Sequence, residues 1–243
     1  MTKKLLMNNH NDNSLLPTQD GLVCWLDAFD LATYEFGTVW LDRTSNNNNG
    51  TVDYLYEFQS VGNGILEAKS LVNIPNPTKG LNEYSVEIGY EDVQLKYWCG
   101  LWGNTSDSFT NDASGNKPDG ISFYQAVNKI SCYPVNMTPP DKEGLSGGKN
   151  YIVFTFTSTG FTIYINGEKY TNLLYNDTRR INPSNANYLC FMGRKPNAVT
   201  EDTNTGADYL ANKWYYIRIY NKALTEEEVL NNYNYELSLT RGE

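Results

Sequence analysis

The segment from Lys213 to Tyr235 constrains the fold most, because a strand pattern passes directly into a helix with a complete start signal. Between Trp214 and Tyr220, aromatic and β-branched residues alternate with a period of two, which is typical of a β-strand. The expected apolar face consists of Tyr215, Ile217 and Ile219. The expected amphipathic face consists of Trp214, Tyr216, Arg218 and Tyr220.

A helix is predicted directly after this strand. Thr225 is a preferred N-cap residue, and Glu228, three positions later, is placed to complete a capping box. Leu224 and Val229 occupy the positions of a hydrophobic staple. Three consecutive glutamates in the first turn place negative charge where the helix dipole favours it. The pattern predicts a short helix from Glu226 to about Asn232.

Short strand patterns recur through most of the remaining chain. Asn166 and Gly167 form the strongest short hairpin signal, since both residue types tolerate a positive φ. Many short strands with one short C-terminal helix predict an all-β protein of two antiparallel sheets packed face to face. The predicted strands are Leu22–Leu26, Thr51–Tyr56, Ile65–Lys69, Ser85–Tyr90, Leu95–Trp102, Ile121–Gln125, Lys129–Tyr133, Tyr151–Ser158, Phe161–Ile165 and Tyr188–Gly193.

Three stretches of the chain carry a family pattern. GLVCWLD with WLDRTSNNNNG lies between Gly21 and Gly50, GFTIYINGEKY ends at Tyr170, and IRIYNKALTEEE ends at Glu228. Together they resemble the concanavalin A-like lectin and glucanase superfamily, in its laminin G-like or pentraxin-like branch. The resemblance implies a two-sheet antiparallel jelly-roll sandwich with one short C-terminal helix. It specifies the fold more than the function, because this fold hosts lectins, adhesion modules, glycosidases and structural domains.

The length and polarity of the chain suggest one domain preceded by an arm. The 243 residues, 40% of them apolar, suffice for a single β-sandwich, which we assign to residues 20–243. Residues 1–19 are polar, rich in Asn and without periodicity, so we expect a disordered arm unless an assembly anchors it. Its apolar run, Leu5 to Met7, is shorter than the roughly 7 to 15 residues of a signal peptide.

Charge and hydropathy argue against a nucleic-acid partner and against a membrane-spanning segment. The net charge of −9 repels phosphate backbones, so we do not expect a nucleic-acid partner. No apolar run approaches the roughly 18 residues that are needed to cross a bilayer, so we expect no membrane span.

The four cysteines are far apart in sequence and lie in strand-like contexts. We expect Cys24, Cys99, Cys132 and Cys190 to be buried free thiols of a chain made in a reducing cytoplasm. Three complete pairings remain open, because spacing alone does not exclude a disulfide.

The acidic residues do not form the pattern of a glucanase. Enzymes that resemble this fold carry their two carboxylates in an E-x-D-x-x-E strand, whereas Glu83, Glu87, Glu91 and Asp92 do not match it. His10, the only histidine, lies in the arm, which excludes Ser-His-Asp and Cys-His systems. We therefore expect that the chain is not an enzyme, and leave open an unrecognised glycosidase that uses Glu87 or Glu91.

The resemblance implies calcium as the plausible metal. Laminin G-like and pentraxin-like domains often hold calcium at a rim of the sandwich through oxygen ligands. In the long polar stretch after the Leu95–Trp102 strand, the candidate ligands are Asp107, Asp112, Asn116 and Asp119. The alternative is a solvated turn network without a metal.

Aromatic residues beside the same polar stretch are candidates for sugar binding, because sugar sites on such folds use aromatic platforms. The candidates are Tyr97, Trp98, Trp102 and Tyr124. The alternative reading, which we favour for Trp98 and Trp102, is that these side chains belong to the core.

A fold usually found outside cells, in a chain without an evident export signal, suggests a bacteriophage virion. We expect a non-enzymatic structural protein of a capsid decoration, head fibre or tail, made in the host cytoplasm and located on the virion. Residues 1–19 would bind other virion proteins, and residues 20–243 would display a lectin-like domain toward host-surface polysaccharide. The alternative is a bacterial free-standing carbohydrate-binding or adhesion module.

Overall fold

A computed structural model describes residues 16–33, 39–52, 58–68, 72–91, 97–105, 122–126, 129–133, 144–145, 147–174, 187–191 and 212–239. This part of the chain forms fifteen strands, a 3-10 helix at Ala28–Thr33 and one α-helix, α1, at Glu226–Ser238. The strands are β1 (Leu22–Asp27), β2 (Val39–Trp40), β3 (Gly50–Val52), β4 (Phe58–Gly62), β5 (Ile65–Ala68), β6 (Val72–Pro75), β7 (Tyr84–Glu91), β8 (Tyr97–Thr105), β9 (Ser122–Ala126), β10 (Lys129–Tyr133), β11 (Lys149–Phe156), β12 (Gly160–Ile165), β13 (Glu168–Leu174), β14 (Tyr188–Phe191) and β15 (Asn212–Tyr220).

The strands form two antiparallel sheets. The first sheet has the order β13-β12-β11-β7-β15-β5-β4, and β1 also pairs with β15. The second sheet has the order β10-β9-β8-β14-β6-β3-β2. The predicted all-β fold, a two-sheet antiparallel jelly-roll sandwich with one short C-terminal helix, is therefore confirmed.

Aromatic side chains from both sheets meet in the core. Trp102 of the second sheet stacks on Phe123 of the neighbouring strand, with ring centroids 5.1 Å apart. Phe123 in turn lies 4.4 Å from Phe154, which belongs to the first sheet. The two sheets are thus held together by rings that interdigitate between them, each of which buries a large apolar area.

Strand β15 differs from the prediction at one end. A register shift between Trp214 and Tyr216 interrupts its pairing with β7. As a result Trp214 joins Ile217 and Ile219 in the main core, whereas Tyr215 packs with Tyr216 in a separate cluster. The prediction that Tyr215 shares the apolar face was wrong, because such an irregularity moves the side chains on one side of it to the opposite face.

Helix α1 begins as predicted and ends later. Thr225 Oγ1 accepts from the backbone N–H of Glu228 at 3.2 Å, and the Glu228 carboxylate accepts from the N–H of Thr225 at 2.9 Å. The helix continues to Ser238, beyond the predicted end near Asn232. Its second half is rich in Asn and Tyr, which have modest helix propensity, so tertiary contacts maintain it.

Two turns, of which the Asn166-Gly167 turn was predicted, have clear local chemistry. Asn166 and Gly167 both adopt positive φ, of 53° and 80°, as the hairpin between β12 and β13 requires. In the turn before β3, the Asp42 carboxylate accepts from three backbone N–H groups, those of Trp25, Thr44 and Asn48, each at 2.9 Å. Asp42 therefore organises the turn through Thr44 and Asn48, and ties it to β1 through Trp25.

The first described residues, which precede β1, contact the surface of helix α1. Pro17 is buried, the N–H of Thr18 donates to Asn232 Oδ1 at 2.7 Å, and Asn231 Nδ2 donates to the Leu16 carbonyl at 3.2 Å. Residues 1–15 lie outside the described part of the chain. The division into an arm of residues 1–19 and a domain of residues 20–243 stays a prediction.

The described cysteines are buried, and the described helices are short. Cys24 and Cys190 are buried thiols that are not in disulfides, while the side chains of Cys99 and Cys132 lie outside the described part. Among the described residues, no helix has the length and the apolar character that a bilayer crossing needs.

Candidate functional site

A buried polar network lies between the first sheet and helix α1. Glu87 on β7 and Arg218 on β15 are neighbours across the sheet, with Arg218 Nη1 3.2 Å from Glu87 Oε1. Arg218 Nη2 also contacts the carboxylate of Glu236 on α1. The three residues are at most 1% exposed, so the helix closes over this pair of carboxylates and their shared cation.

Glu87 has further hydrogen-bond donors. Tyr216 donates its hydroxyl to Glu87 Oε1 at 2.9 Å, and Asn232 of α1 donates Nδ2 to Oε2 at 2.9 Å. Tyr220 approaches the same Oε2 at 3.4 Å. Both carboxylate oxygens of Glu87 are thus bonded within the protein, which satisfies the requirement of a buried charge for partners.

Burial dominates the electrostatics of this network. Burial raises the pKa of Glu87; the Arg218 cation opposes that rise, and the nearby Glu236 adds to it. Burial alone disfavours the Arg218 cation, but Glu236 and Glu87 outweigh it and raise the pKa of Arg218 well above its usual value. The network therefore fastens α1 to the sheet, and it leaves Glu87 only 1% exposed.

Trp25 of β1 extends the network toward the surface. Its ring lies between two guanidinium groups, with Cζ of Arg218 at 5.0 Å and Cζ of Arg43 at 4.7 Å from the ring centroid. Arg43, whose side chain is 26% exposed, donates Nη1 to Asp27 at 3.1 Å and Nη2 to Asp30 at 2.8 Å. These contacts fix the start of the domain against α1, and they use the charged groups within the protein.

The second sheet presents a different surface at the start of β14. Tyr188, the first residue of that strand, is 41% exposed. Its backbone pairs with Pro75 on one side and with Thr105 on the other. Beside it, Asn187 accepts a hydrogen bond at 2.7 Å from the exposed Lys79 through its side-chain oxygen. The exposed ring of Tyr188 is thus next in the chain to the Asn187 amide, which accepts from the Lys79 ammonium group.

Strand alternation explains why Tyr188 points away from the core. Its neighbours Leu189 and Phe191 are buried in the core cluster, whereas Tyr188 is exposed and Cys190 lies outside that cluster. Cys190, on the same outer face as Tyr188, is only 1% exposed. The outer face of the second sheet is therefore covered at Cys190 and exposed to solvent at Tyr188. We define the Tyr188 face as Asn73, Pro75, Lys79, Asn187 and Tyr188.

The Tyr188 face suits a sugar ligand chemically. A tyrosine ring offers an apolar face to the C–H side of a pyranose or furanose, and its hydroxyl remains available for hydrogen bonds. Asn side chains both donate and accept, which matches sugar hydroxyls. The first sheet is covered by α1, so its outer face has no comparable opening where the helix lies.

The aromatic residues expected to bind sugar lie in different environments. Trp102 is 1% exposed and stacks in the core, so the sequence-based choice of Trp102 as a platform is corrected by its burial. Tyr97, Trp98 and Tyr124 lie on β8 and β9, and their side chains are outside the described part. Tyr188 was not chosen from the sequence, although its position at the start of an alternating strand was a usable signal.

The predicted calcium ligands are not among the described residues. They follow directly after Thr105, the last residue of β8, whose backbone pairs with Tyr188. In the described ranges, no group of three or more His, Cys, Asp or Glu residues is arranged to hold a metal. The predicted ligands that fall outside these ranges are Asp107, Asp112, Asn116 and Asp119.

The chain has structural neighbours among proteins that act on or bind sugars. A sialidase from Trypanosoma rangeli is 14% identical, with a TM-score of 0.64 over 90% of this chain and 33% of that chain. Domain 4 of an extracellular arabinanase from Geobacillus stearothermophilus, in complex with arabinotriose, is 15% identical, with a TM-score of 0.56 over 87% and 97%. The binding domain of Botulinum neurotoxin DC is 12% identical, with a TM-score of 0.56 over 88% and 51%. At these identities the likeness shows the fold.

Neither a protein-family model nor a curated protein matches the chain. The chain spans about a third of the length of the sialidase chains that it resembles.

The comparison corrects one expectation. The inference that the chain is not an enzyme was wrong, because it relied only on the absence of a glucanase motif and of histidine-dependent nucleophile systems. Sialidases are enzymes, and sialidase chains contain this fold over 90% of the present chain. The absence of that motif therefore does not separate this chain from carbohydrate-active enzymes.

Proposed function

We propose that this chain is a glycan-binding domain and that the Tyr188 face is its contact surface. The observation that carries the proposal is the exposed ring of Tyr188 at the open end of the second sheet. Small-ligand sites combine aromatic side chains with a few placed polar groups that fix the orientation of the ligand.

The structural neighbours support this proposal. The arabinanase domain was solved in complex with arabinotriose, and the toxin binding domain in complex with SialylT. The present chain corresponds to 97% of the arabinanase domain, so the whole unit, rather than a fragment of it, is shared. A glycan ligand is therefore the first class to test.

A glycan array of plant, bacterial and host-surface oligosaccharides is the direct experiment. The full chain should bind a restricted set of glycans, and unlabelled glycan of the same kind should compete. A Tyr188→Ala variant that keeps its fold should lose the signal. Absence of binding to every glycan, or binding that is unaffected by Tyr188→Ala, would contradict the proposal.

Two finer assignments belong to the same proposal. We assign the domain to the concanavalin A-like superfamily; the two antiparallel sheets and the turn organised by Asp42 support this. We also propose that calcium binds at the predicted ligands that follow Thr105. Isothermal titration of the metal-free protein with calcium tests that site, and the absence of heat would contradict it.

We further propose that the domain belongs to a bacteriophage virion and is displayed on the particle. The support is the polar, Asn-rich segment before Leu16, which suits an anchor, together with the hydrogen bonds that join Leu16 and Thr18 to α1. In this arrangement the anchor reaches other virion proteins and the Tyr188 face meets host-surface polysaccharide.

Immunogold microscopy of particles from lysates of the source organism tests this location. Label on capsids or tails is the expected result. Label only on cells or in the medium would contradict the virion proposal, and would point to a bacterial glycan-binding or adhesion module.

A further inference from the structure

The outer face of helix α1 carries two exposed leucines, and a third lies beside the helix. Among the described residues, three of the four exposed large hydrophobic side chains are Leu230 and Leu237 on α1, 49% and 57% exposed, and Leu16, 57% exposed, whose carbonyl accepts from Asn231 of α1. Leu230 and Leu237 are seven residues apart and therefore share one side of the helix. We call these three residues the leucine strip.

The buried side of α1 explains the orientation of the strip. Val229, Asn232 and Glu236 face the sheet, where they contact the core or the Glu87–Arg218 network. Positions 230 and 237 lie on the opposite side of the helix, since successive residues are about 100° apart. The strip is therefore directed away from the sandwich.

The path of the chain before β1 indicates which segment of the chain is close enough to contact the leucine strip. Thr18 bonds to the buried Asn232, whereas Leu16 bonds to the exposed Asn231. From Thr18 back to Leu16, the chain thus passes from the buried side of α1 to its outer side. Leu16, the first described residue, thus lies beside Asn231 at the outer side of α1.

The segment of residues 1–15 matches the strip in both apolar and charged groups. It contains one apolar run, Leu5 to Met7, preceded by Lys3 and Lys4. The start of α1 presents exposed carboxylates at Glu226 and Glu227, of which Glu226 lies 3.4 Å from Lys169. An apolar run with lysines on one side is therefore complementary in composition to an apolar strip with glutamates on one side.

Chain length permits this contact. Leu6 is ten residues from Leu16, a span of up to about 35 Å when extended. Helix α1 has 13 residues, a length of about 20 Å. A tether this short keeps the apolar run at high effective concentration over the strip, which favours contact within one molecule over contact between molecules.

We propose that the leucine strip is the docking site for the Leu5-Leu6-Met7 run of the same chain, with Lys3 and Lys4 directed toward Glu226 and Glu227. Docking removes apolar surface of both segments from water. It places the N-terminal segment along α1, so a partner that takes up this segment must displace it from the helix.

Photocrosslinking tests the proposal on the full chain. The photoreactive amino acid p-benzoylphenylalanine in place of Asn8 lies next to the apolar run without replacing it. Irradiation followed by peptide mapping should give a crosslink to residues 226–239 of the same molecule, with a yield that does not change on dilution. Crosslinks spread over the surface would overturn the proposal. A crosslink to a second copy, seen as a dimer on a denaturing gel, would also overturn it.

Variants of the strip make the test specific. The double substitution Leu230→Gln and Leu237→Gln should reduce the crosslink about tenfold, because most of the apolar contact is lost. Asn234→Gln, on the same exposed side, should leave the yield unchanged and serves as the matched control. Melting curves show that each variant is folded. An undiminished crosslink in the folded double variant would refute the docking site.

Discussion

Arg218 on β15 and Glu236 on α1 form an ion pair whose side chains are both completely buried. The same guanidinium group contacts Glu87 on β7, so a single cation serves two carboxylates that come from opposite sides of the helix–sheet junction. Arg218 is therefore a central contact between the sheet and the C-terminal helix, beside the Asn232–Glu87 hydrogen bond.

Removal of this cation should destabilise the protein strongly. Arg218→Met leaves Glu87 and Glu236 buried without their shared counter-ion, which typically costs about 3–5 kcal/mol in the free energy of unfolding. Urea denaturation measures the loss. Lys169→Met is the control, because Lys169 and its partner Glu226 are largely exposed and should contribute little. A loss below about 1 kcal/mol for Arg218→Met would show that the network does not hold the helix.

The buried Glu87 should also give the protein a distinct pH dependence. Its pKa is raised in the folded state above the ordinary value of 4.5, so the folded protein binds its proton first as pH falls. Between 4.5 and the raised value, this group therefore lowers the free energy of unfolding as pH rises. Glu228 has the opposite effect on the pH dependence of stability. Its pKa is lowered, so the stability that it contributes is lost as pH falls below 4.5.

Glu87→Gln isolates the contribution of Glu87, because Glu228 is present in both proteins and cancels. Urea titrations from pH 4 to pH 8 should show that the wild-type value minus the Gln-variant value decreases as pH rises above about 4.5. Parallel curves over the whole range would contradict the raised pKa of Glu87.

The capping box at the start of α1 should contribute a measurable share of stability. Thr225→Ala removes the side-chain acceptor of the Glu228 N–H and should cost about 1 kcal/mol. Asn234→Ala is a suitable control, since it is exposed in the middle of the helix and Ala has the higher helix propensity. Thermal melting and urea denaturation measure both. An unchanged melting curve for Thr225→Ala would contradict the importance of the cap.

Glycan binding and folding should depend on different aromatic residues. Tyr188→Ala should weaken the affinity for a glycan identified on the array by about tenfold or more, with little change in stability. Trp102→Ala should instead cost about 3–5 kcal/mol of stability, because it empties a packed site between Phe123 and Phe191. Calorimetric titration and denaturation separate the two effects. A large loss of stability in Tyr188→Ala would place that ring in the core.

The two described thiols should be unreactive in the folded protein. Burial, with a smaller contribution from Asp42, raises the pKa of Cys24 well above its usual value, and Cys190 is 1% exposed. Peptide mapping after exposure to iodoacetamide at pH 8 should find both unmodified, and both should react after denaturation in urea. Rapid modification of Cys24 in the native protein would contradict its burial.

Local patterns in the sequence were sufficient for much of the fold. Period-two alternation located most strands, and the Asn166-Gly167 turn and the Thr225 cap have the predicted geometry, because each depends on residues close together in the chain. The candidate binding site around Tyr188 was harder to predict from the sequence. The exposure of Tyr188 depends on which face of β14 the core covers, and the sequence of that strand contains aromatic residues on both faces.

The sequence by itself determined the all-β class, the positions of the main strands and the start of the C-terminal helix, since short-range hydrogen bonds and side-chain alternation control these features. Only the tertiary structure decided how far α1 extends and that Trp214 packs in the main core. It also decided that Glu87, Arg218 and Glu236 are in contact. The physical reason is that burial and charge pairing depend on distances between residues far apart in the chain. Glu87 and Arg218 are 131 residues apart in sequence and in contact in the fold.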